Sequence, residues 1–223
     1  MKKRWKIFWI VCAVFAVSGI ILCITGIAMG ANFDMFRKHI YVTGTEEQSY
    51  QEVSSSSKFE GINSLEVDAS ALELNIYPTK EENVIVDFYG NRSLGVECMK
   101  EGATLKVDSH GQKKWFGRIP EKNKLDIYIP ATVELEKAEF DISAGKVYVK
   151  DVAVKNIELD ADASDITFEG LNIKEYNYEI DMNAGTLKIG DEKFSGVNME
   201  KYIDNHGGKR IKIDGDVSNI CFR

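Results

Sequence analysis

Leu159-Asp160-Ala161-Asp162-Ala163-Ser164-Asp165-Ile166-Thr167-Phe168 alternates apolar and polar residues, but the parity of the alternation changes part-way along. Ile157, Leu159, Ala161 and Ala163 lie at odd offsets from Asp160, whereas Ile166 and Phe168 lie at even ones. Side chains of a strand alternate faces strictly with period two, so such a switch needs an extra residue or a corner. The corner is expected at Ser164. The segment therefore reads as two short strands meeting at a bend, with Asp160 pointing outward from the first.

The same unit recurs on either side. Phe140-Asp141-Ile142-Ser143-Ala144-Gly145 precedes it, and Ile180-Asp181-Met182-Asn183-Ala184-Gly185 follows. A looser copy is Ile203-Asp204-Asn205-His206-Gly207-Gly208, and an early one is Val67-Asp68-Ala69-Ser70-Ala71-Leu72. The later aspartates step by 19, 21 and 23 residues, the period of a stacked solenoid rung. Corners are expected at Gly145, Ser164, Gly185 and Gly208, residues suited to turns. From Phe59 onward alternation continues almost without a break, as in Leu74-x-Ile76, Val84-x-Val86-x-Phe88 and Leu125-x-Ile127-x-Ile129. One bent unit cannot bury its apolar face alone, whereas stacked copies share a core. The chain is expected to be all-β, with a parallel β-solenoid-like domain. An antiparallel β-sandwich is the alternative, because alternation alone does not fix parallel pairing.

Charge is distributed unevenly. Residues 1–40 hold six basic side chains and one acid, leaving 22 basic and 34 acidic residues beyond them, a net of −12. So acidic a domain repels phosphate backbones and anionic headgroups, and nucleic acid is not an expected partner. Residues 7–29, opening at Ile7 and closing at Met29, contain no charge. As a helix they would reach about 34 Å, enough to cross a bilayer. Lys2, Lys3, Arg4 and Lys6 precede the segment and favour a cytoplasmic N-terminus. A cleaved signal peptide is the rival reading, but the apolar run exceeds the usual 7–15 residues. The expected organisation is a tail (1–6), an uncleaved single-pass helix (7–30), a juxtamembrane segment and polar linker (31–58) with the run Ser54-Ser55-Ser56-Ser57, and an extracellular β-repeat domain (59–223). Gly26 and Gly30 form a GxxxG in the apolar segment, a candidate seam for a homo-oligomer.

Phe59-Glu60-Gly61-Ile62-Asn63-Ser64-Leu65-Glu66-Val67 resembles the opening of the bacterial "putative adhesin" or "head GIN" surface domains. Asp126-Ile127-Tyr128-Ile129-Pro130, followed by the Asp-x-Ser/Asn-Ala-Gly units, is similar to that family's later half. The resemblance covers roughly residues 59–223 and implies a β-solenoid-like domain on the bacterial envelope, often behind one membrane segment. It brings no functional residues with it.

No catalytic constellation is legible. His39, His110 and His206 are scattered with no pair at metal-ligand spacing, and there is no nucleophile elbow or phosphate-cradling glycine loop. The outward aspartates Asp68, Asp141, Asp160, Asp181 and Asp204, with Asp162 and Asp165 beside them, invite comparison with Ca²⁺ sites. Their spacing matches neither the EF-hand loop nor the nonapeptide repeat, and they read as solvated turn-edge residues. No metal and no cofactor are expected. Lys113-Lys114-Trp115-Phe116-Gly117-Arg118 is the one basic-aromatic cluster in the acidic domain. Trp115, Phe116 and Arg118 are candidate partner contacts, or else fold back over an end of the solenoid. Cys98 and Cys221 are expected as free thiols rather than a bridge. The resulting expectation is a non-enzymatic, adhesin-like module that engages an envelope protein or surface ligand. The alternatives are a stress-sensing protein acting through a membrane partner, and a wall- or glycan-acting enzyme.

Overall fold

The computed structural model describes residues 52–91, 95–110 and 123–223, all within one compact unit, Tyr50–Arg223. Its strands are β1 (Glu52–Phe59), β2 (Ser64–Thr79), β3 (Val84–Asn91), β4 (Gly95–Glu101), β5 (Thr104–His110) and β6 (Lys124–Pro130). They continue with β7 (Leu135–Lys150), β8 (Val154–Ala161), β9 (Ser164–Glu169), β10 (Tyr176–Ile189), β11 (Glu192–Ile203) and β12 (Lys209–Phe222). Residues Ile173–Glu175 form a single 3-10 turn. No helix among the described residues is long and apolar enough to cross a membrane, and residues 7–29 lie outside them.

β7 shows the building rule. Its first limb, up to Ile142, pairs in parallel with β2 on one side and β8 on the other. Its second limb, from Gly145, pairs in parallel with the rest of β2 and with β9. Each rung is thus a bent pair of strands, stacked in register on the next. The stack runs β5/β6, β2, β7, β8/β9, β12, β10. This is a parallel solenoid, not an antiparallel sandwich. Antiparallel strands occur only at its ends among the described residues. β11 lies along both limbs of β10, while β4 and β3 lie on β5 and β6, and β1 on β3.

The core fills the space between the two limbs. Phe140 on the first limb meets Phe168 on the second edge-on, with ring centroids 5.9 Å apart. Phe168 stacks on Phe222 at 5.1 Å, and Phe222 in turn meets Tyr178 at 5.9 Å. Tyr176 and Tyr178 are fully buried because their hydroxyls find backbone acceptors, the Val154 carbonyl at 2.5 Å and the Ile173 carbonyl at 3.0 Å. Ile166, Phe168 and Leu187 are buried as their parity requires, and Ile189 packs half-buried beside them.

Corners fall at Gly145, Ser164 and Gly185, and each has a steric or polar reason. A Cβ on Gly185 (φ +130°) would sit 2.0 Å from the Ser218 carbonyl oxygen, and one on Gly145 (φ +153°) 2.5 Å from that of Leu72. Where serine replaces glycine, its hydroxyl closes the bend. Ser218 Oγ donates to the Ala161 carbonyl at 2.6 Å and accepts the Ser164 N–H at 3.3 Å.

Three expectations are corrected. Asp204 and Gly208 belong to no rung: they lie between β11 and β12, and the last copy is instead Ile213-Asp214-Gly215-Asp216-Val217-Ser218 in β12. Ala163 points outward with φ +45°, because the parity switch begins one residue before Ser164. The segment from Glu52 to Lys58 is not linker but most of β1, paired antiparallel with β3. Ser54 to Ser57 are exposed, so this stretch of the edge strand has no core face to impose an alternating pattern.

Candidate functional site

In-register stacking lines up one carboxylate per rung on the outer face of the first limb. The cross-strand series is Glu97, Asp108, Asp68, Asp141, Asp160, Asp214, Asp181 and Glu200. Neighbouring strands lie about 4.8 Å apart, so the charges cannot avoid one another. Partial burial and then the charges of Asp68, Asp162 and Glu139 raise the Asp141 carboxyl above the ordinary carboxylate range. Burial, then Asp141, Asp214, Asp162 and Asp216, raise Asp160 in the same direction. Lysines neutralise the next column instead: Lys137 bridges Glu139 and Glu158, each at 2.8 Å, and Lys106 bridges Glu66 and Glu101. Among the described residues no three His, Cys, Asp or Glu side chains converge closely enough to hold a metal ion. The row is a line of charge rather than a cage.

Asp141, Asp160, Asp181 and Asp68 are thereby placed together as the sequence indicates. Asp204 is not, since its carboxylate accepts the His206 N–H at 2.8 Å in the β11–β12 connection. Asp165 faces outward from the second limb, accepting the Asn219 side-chain amide at 2.9 Å. Asp108 and Asp214 were missed because neither sits in a full repeat: Asp108 is the last residue of β5 paired with β2, and Gly215 and Val217 replace the expected alanines after Asp214.

The outer face of the second limb is different in kind. Tyr128 and Tyr77 sit on adjacent rungs with ring centroids 6.2 Å apart, and Tyr77 meets Tyr148 edge-on at 6.0 Å. All three are half-buried. The Tyr148 hydroxyl donates to Glu169 Oε2 at 2.8 Å, an oxygen that also accepts Arg223 Nη2 at 2.7 Å. Lys150 lies 3.3 Å from the other carboxylate oxygen. These donors, Tyr148 first, hold the Glu169 carboxyl down at about 2. Beside the tyrosines, Asn75 donates to Asp126 at 3.0 Å and to Glu73 at 3.2 Å, and Lys124 donates to Asp126 at 2.9 Å. Asp87, opposite Asp126, keeps one buried carboxylate oxygen without a hydrogen-bond partner. A groove of about 420 Å³ runs past Glu73, Asn75, Lys146, Tyr148, Asp165 and Thr167. It shares Asp165 and Thr167 with a second of about 630 Å³ that reaches Lys188, Asn219 and Cys221.

This face offers aromatic surface, both signs of charge and amide groups along an extended trough. Such a surface can hold an extended ligand or a protein edge. The tyrosines were not singled out from sequence, yet a signal exists. Ile76-Tyr77-Pro78 and Ile127-Tyr128-Ile129-Pro130 are two versions of one phrase, with tyrosine at an outward position in both. Trp115, Phe116 and Arg118 lie in the segment between β5 and β6, outside the described residues. Cys98 in β4 and Cys221 in β12 are free thiols, and burial pushes Cys98 up to about 11, so it is a poor nucleophile at neutral pH.

Solved structures align with this chain. A "putative cell adhesion protein" from Clostridium sporogenes aligns with a TM-score of 0.53 at 12% identity, covering 78% of this chain and 100% of that one. A "putative adhesin" from Bacteroides fragilis aligns with a TM-score of 0.42 at 9% identity, over 80% and 99% of the two chains. A "putative lipid binding protein" from Parabacteroides distasonis gives 0.34 at 13% identity, over 78% and 63%. At such identities the first likeness speaks for the fold, and the others carry no argument. No curated protein matches the sequence. Residues 62–204, more than half of the chain, match the model of a single family, and on that ground this chain belongs to the Toastrack DUF4097 family.

Proposed function

We propose that this chain is a non-enzymatic surface module, held at a cell membrane by residues 7–29 and presenting its solenoid outside to an envelope component or an external ligand. The tail Met1 to Lys6 stays in the cytoplasm. The observation that carries the reading is the outer face of the second limb, where Tyr77, Tyr128 and Tyr148 cluster and a shallow groove opens beside Tyr148. The fold shared with the "putative cell adhesion protein" supports it. So does the uncharged span that follows four basic residues.

Two measurements test it together. Protease added to intact cells should remove the solenoid and leave the membrane segment, and a solenoid that resists digestion until lysis refutes the orientation. Vesicles carrying the full chain are then scored for retention on immobilised peptidoglycan, envelope polysaccharide and mucin. Retention on at least one is expected, falling about tenfold in Tyr77→Ala/Tyr148→Ala, the loss of two aromatic anchors. Retention on none, or retention unchanged in a variant that melts normally, overturns the proposal.

A further inference from the structure

The end of the solenoid formed by β11 is unfinished in three respects. Among the described residues β11 pairs only with β10, which leaves the backbone groups along one edge of a 12-residue strand without a ladder partner. Phe194, Met199 and Ile203 pack against the core but are only partly buried, so the core is open at this end. Third, the outward charges of β11 face like charges on β10, Glu200 opposite Asp181 and Lys193 opposite Lys188. Like charges directly across a ladder destabilise it.

The sequence of β11, Glu192-Lys193-Phe194-Ser195-Gly196-Val197-Asn198-Met199-Glu200-Lys201, is complementary to itself when reversed. Placing Gly196 opposite Val197 of a second copy sets Glu192 against Lys201, Lys193 against Glu200 and Phe194 against Met199. Faces agree in that register. β11 bends with its neighbour, so its core-facing residues are Glu192 and Phe194 on the second limb and Met199, Lys201 and Ile203 on the first. Each inward residue therefore meets an inward one, and each outward residue an outward one. A two-fold axis through the bend exchanges the limbs, as this register requires. We propose that two copies of this chain join end to end through β11, antiparallel, extending both sheets and closing the core between them.

Charge complementarity identifies the occupant as a second copy. Lys193 of the second copy would lie beside Glu200, which already faces Asp181, and Glu200 of the second copy beside Lys193, which already faces Lys188. A single inward lysine on an edge strand ordinarily discourages pairing, and Lys201, with its ammonium 3.7 Å from the centre of the Phe194 ring, reads that way in one copy alone. Glu192 of the second copy supplies its counter-charge. The interface is isologous, as a two-fold dimer demands.

The test is a charge reversal and its compensation in the full chain, held in a zwitterionic detergent and followed by sedimentation equilibrium. Wild type should dimerise. Glu200→Lys sets lysine against Lys193 at two symmetric points and should weaken the dimer about tenfold or more. The same substitution replaces a like pair with Asp181 by an opposite one, so the melting temperature of the monomer should not fall. Lys193→Glu with Glu200→Lys restores both contacts with reversed polarity and should return the dissociation constant to within about threefold of wild type. A monomeric wild type overturns the proposal. So does a dimer that Glu200→Lys leaves intact, which would belong to the Gly26/Gly30 seam or another surface, and so does failure of the double variant to recover.

Discussion

Asp160→Asn should stabilise this protein, although most substitutions do the reverse. Asp160 has Asp141 and Asp214 directly across on its two sides and Asp162 and Asp216 near, all of which raise its carboxyl. Two unit charges about 4.8 Å apart repel by about 0.9 kcal/mol even at the dielectric constant of water. The side chain is exposed, and measured cross-strand pairs run at about 0.2–1 kcal/mol each, so removing both repulsions should gain about 1 kcal/mol after screening. For a domain of this size that is about 2–4 °C in Tm. Asparagine keeps the shape and the rung. Thermal melts of both proteins at about 0.01 M and about 1 M salt, where the Debye length falls from about 30 to about 3 Å, provide the check. The gain should be largest at low salt and nearly gone at high salt. pH supplies a second reading with a definite sign. The folded-state carboxyls of Asp141 and Asp160 are raised, so the folded protein binds these protons more readily than the unfolded chain. Their contribution to stability therefore increases as pH falls through the raised values, and Asp160→Asn should blunt that increase. A loss of stability in the variant at low salt, or a gain indifferent to salt, refutes the reasoning.

Phe168→Ala should cost about 3–5 kcal/mol in urea melts, because Phe168 is fully buried between Phe140 and Phe222. Gly185→Ala should be strongly destabilising for its size in the same melts, since the new methyl group meets the Ser218 carbonyl carbon and oxygen. Glu169 behaves oppositely to the ladder aspartates. Its folded-state carboxyl lies at about 2, so its contribution is intact above the ordinary glutamate value and is lost as pH falls from about 4.5 towards 2, a loss that Glu169→Gln should abolish in acid titrations followed by circular dichroism. A chain ending after Asp204 should lose cooperative unfolding of the β10–β11 end, read as a second, early phase in hydrogen exchange.

The rung was legible in the sequence because its two causes are local. Apolar parity and its switch at Ser164 or Gly185 are visible in a window of ten residues, and both limbs and corner follow from them. The stacking order was not. β12 enters between β8/β9 and β10, and no local pattern marks a strand as arriving out of turn. The steps of 19, 21 and 23 residues drew Asp204 into the series, although β11 runs antiparallel and Asp214 holds the place. β1 escaped for a related reason: its stretch Ser54 to Ser57, exposed on both faces, is held by backbone pairing with β3, and four serines display no periodicity. The acidic row was half legible: Asp68, Asp141, Asp160 and Asp181 were named, but Asp108, Asp214 and the true order of neighbours were not. The tyrosine face was missed because alternation was read for its inward residues alone, and Tyr77, Tyr128 and Tyr148 are the outward ones.

The placing of β12 decides how this solenoid holds together. In a stack built in sequence order each rung rests on the one before, and losing the last strand trims one end. Among the described strands β10 has no parallel partner except β12, and β11 no partner except β10. β12 is also continuous across both limbs, in register with β8 and β9 on one side and both limbs of β10 on the other. It brings Ile211, Ile213, Ile220 and Phe222 to the core, and the Ser218 hydroxyl that closes the Ser164 corner. Residues 62–204, which identify the family, thus omit the strand that joins the β10–β11 end to the rest. The two halves of the molecule can become one cooperative unit only when residues Lys209–Phe222 are in place. A rung that arrives last and sits in the interior of the stack makes the order of folding differ from the order of stacking, and it concentrates the connection between the two ends in a single strand.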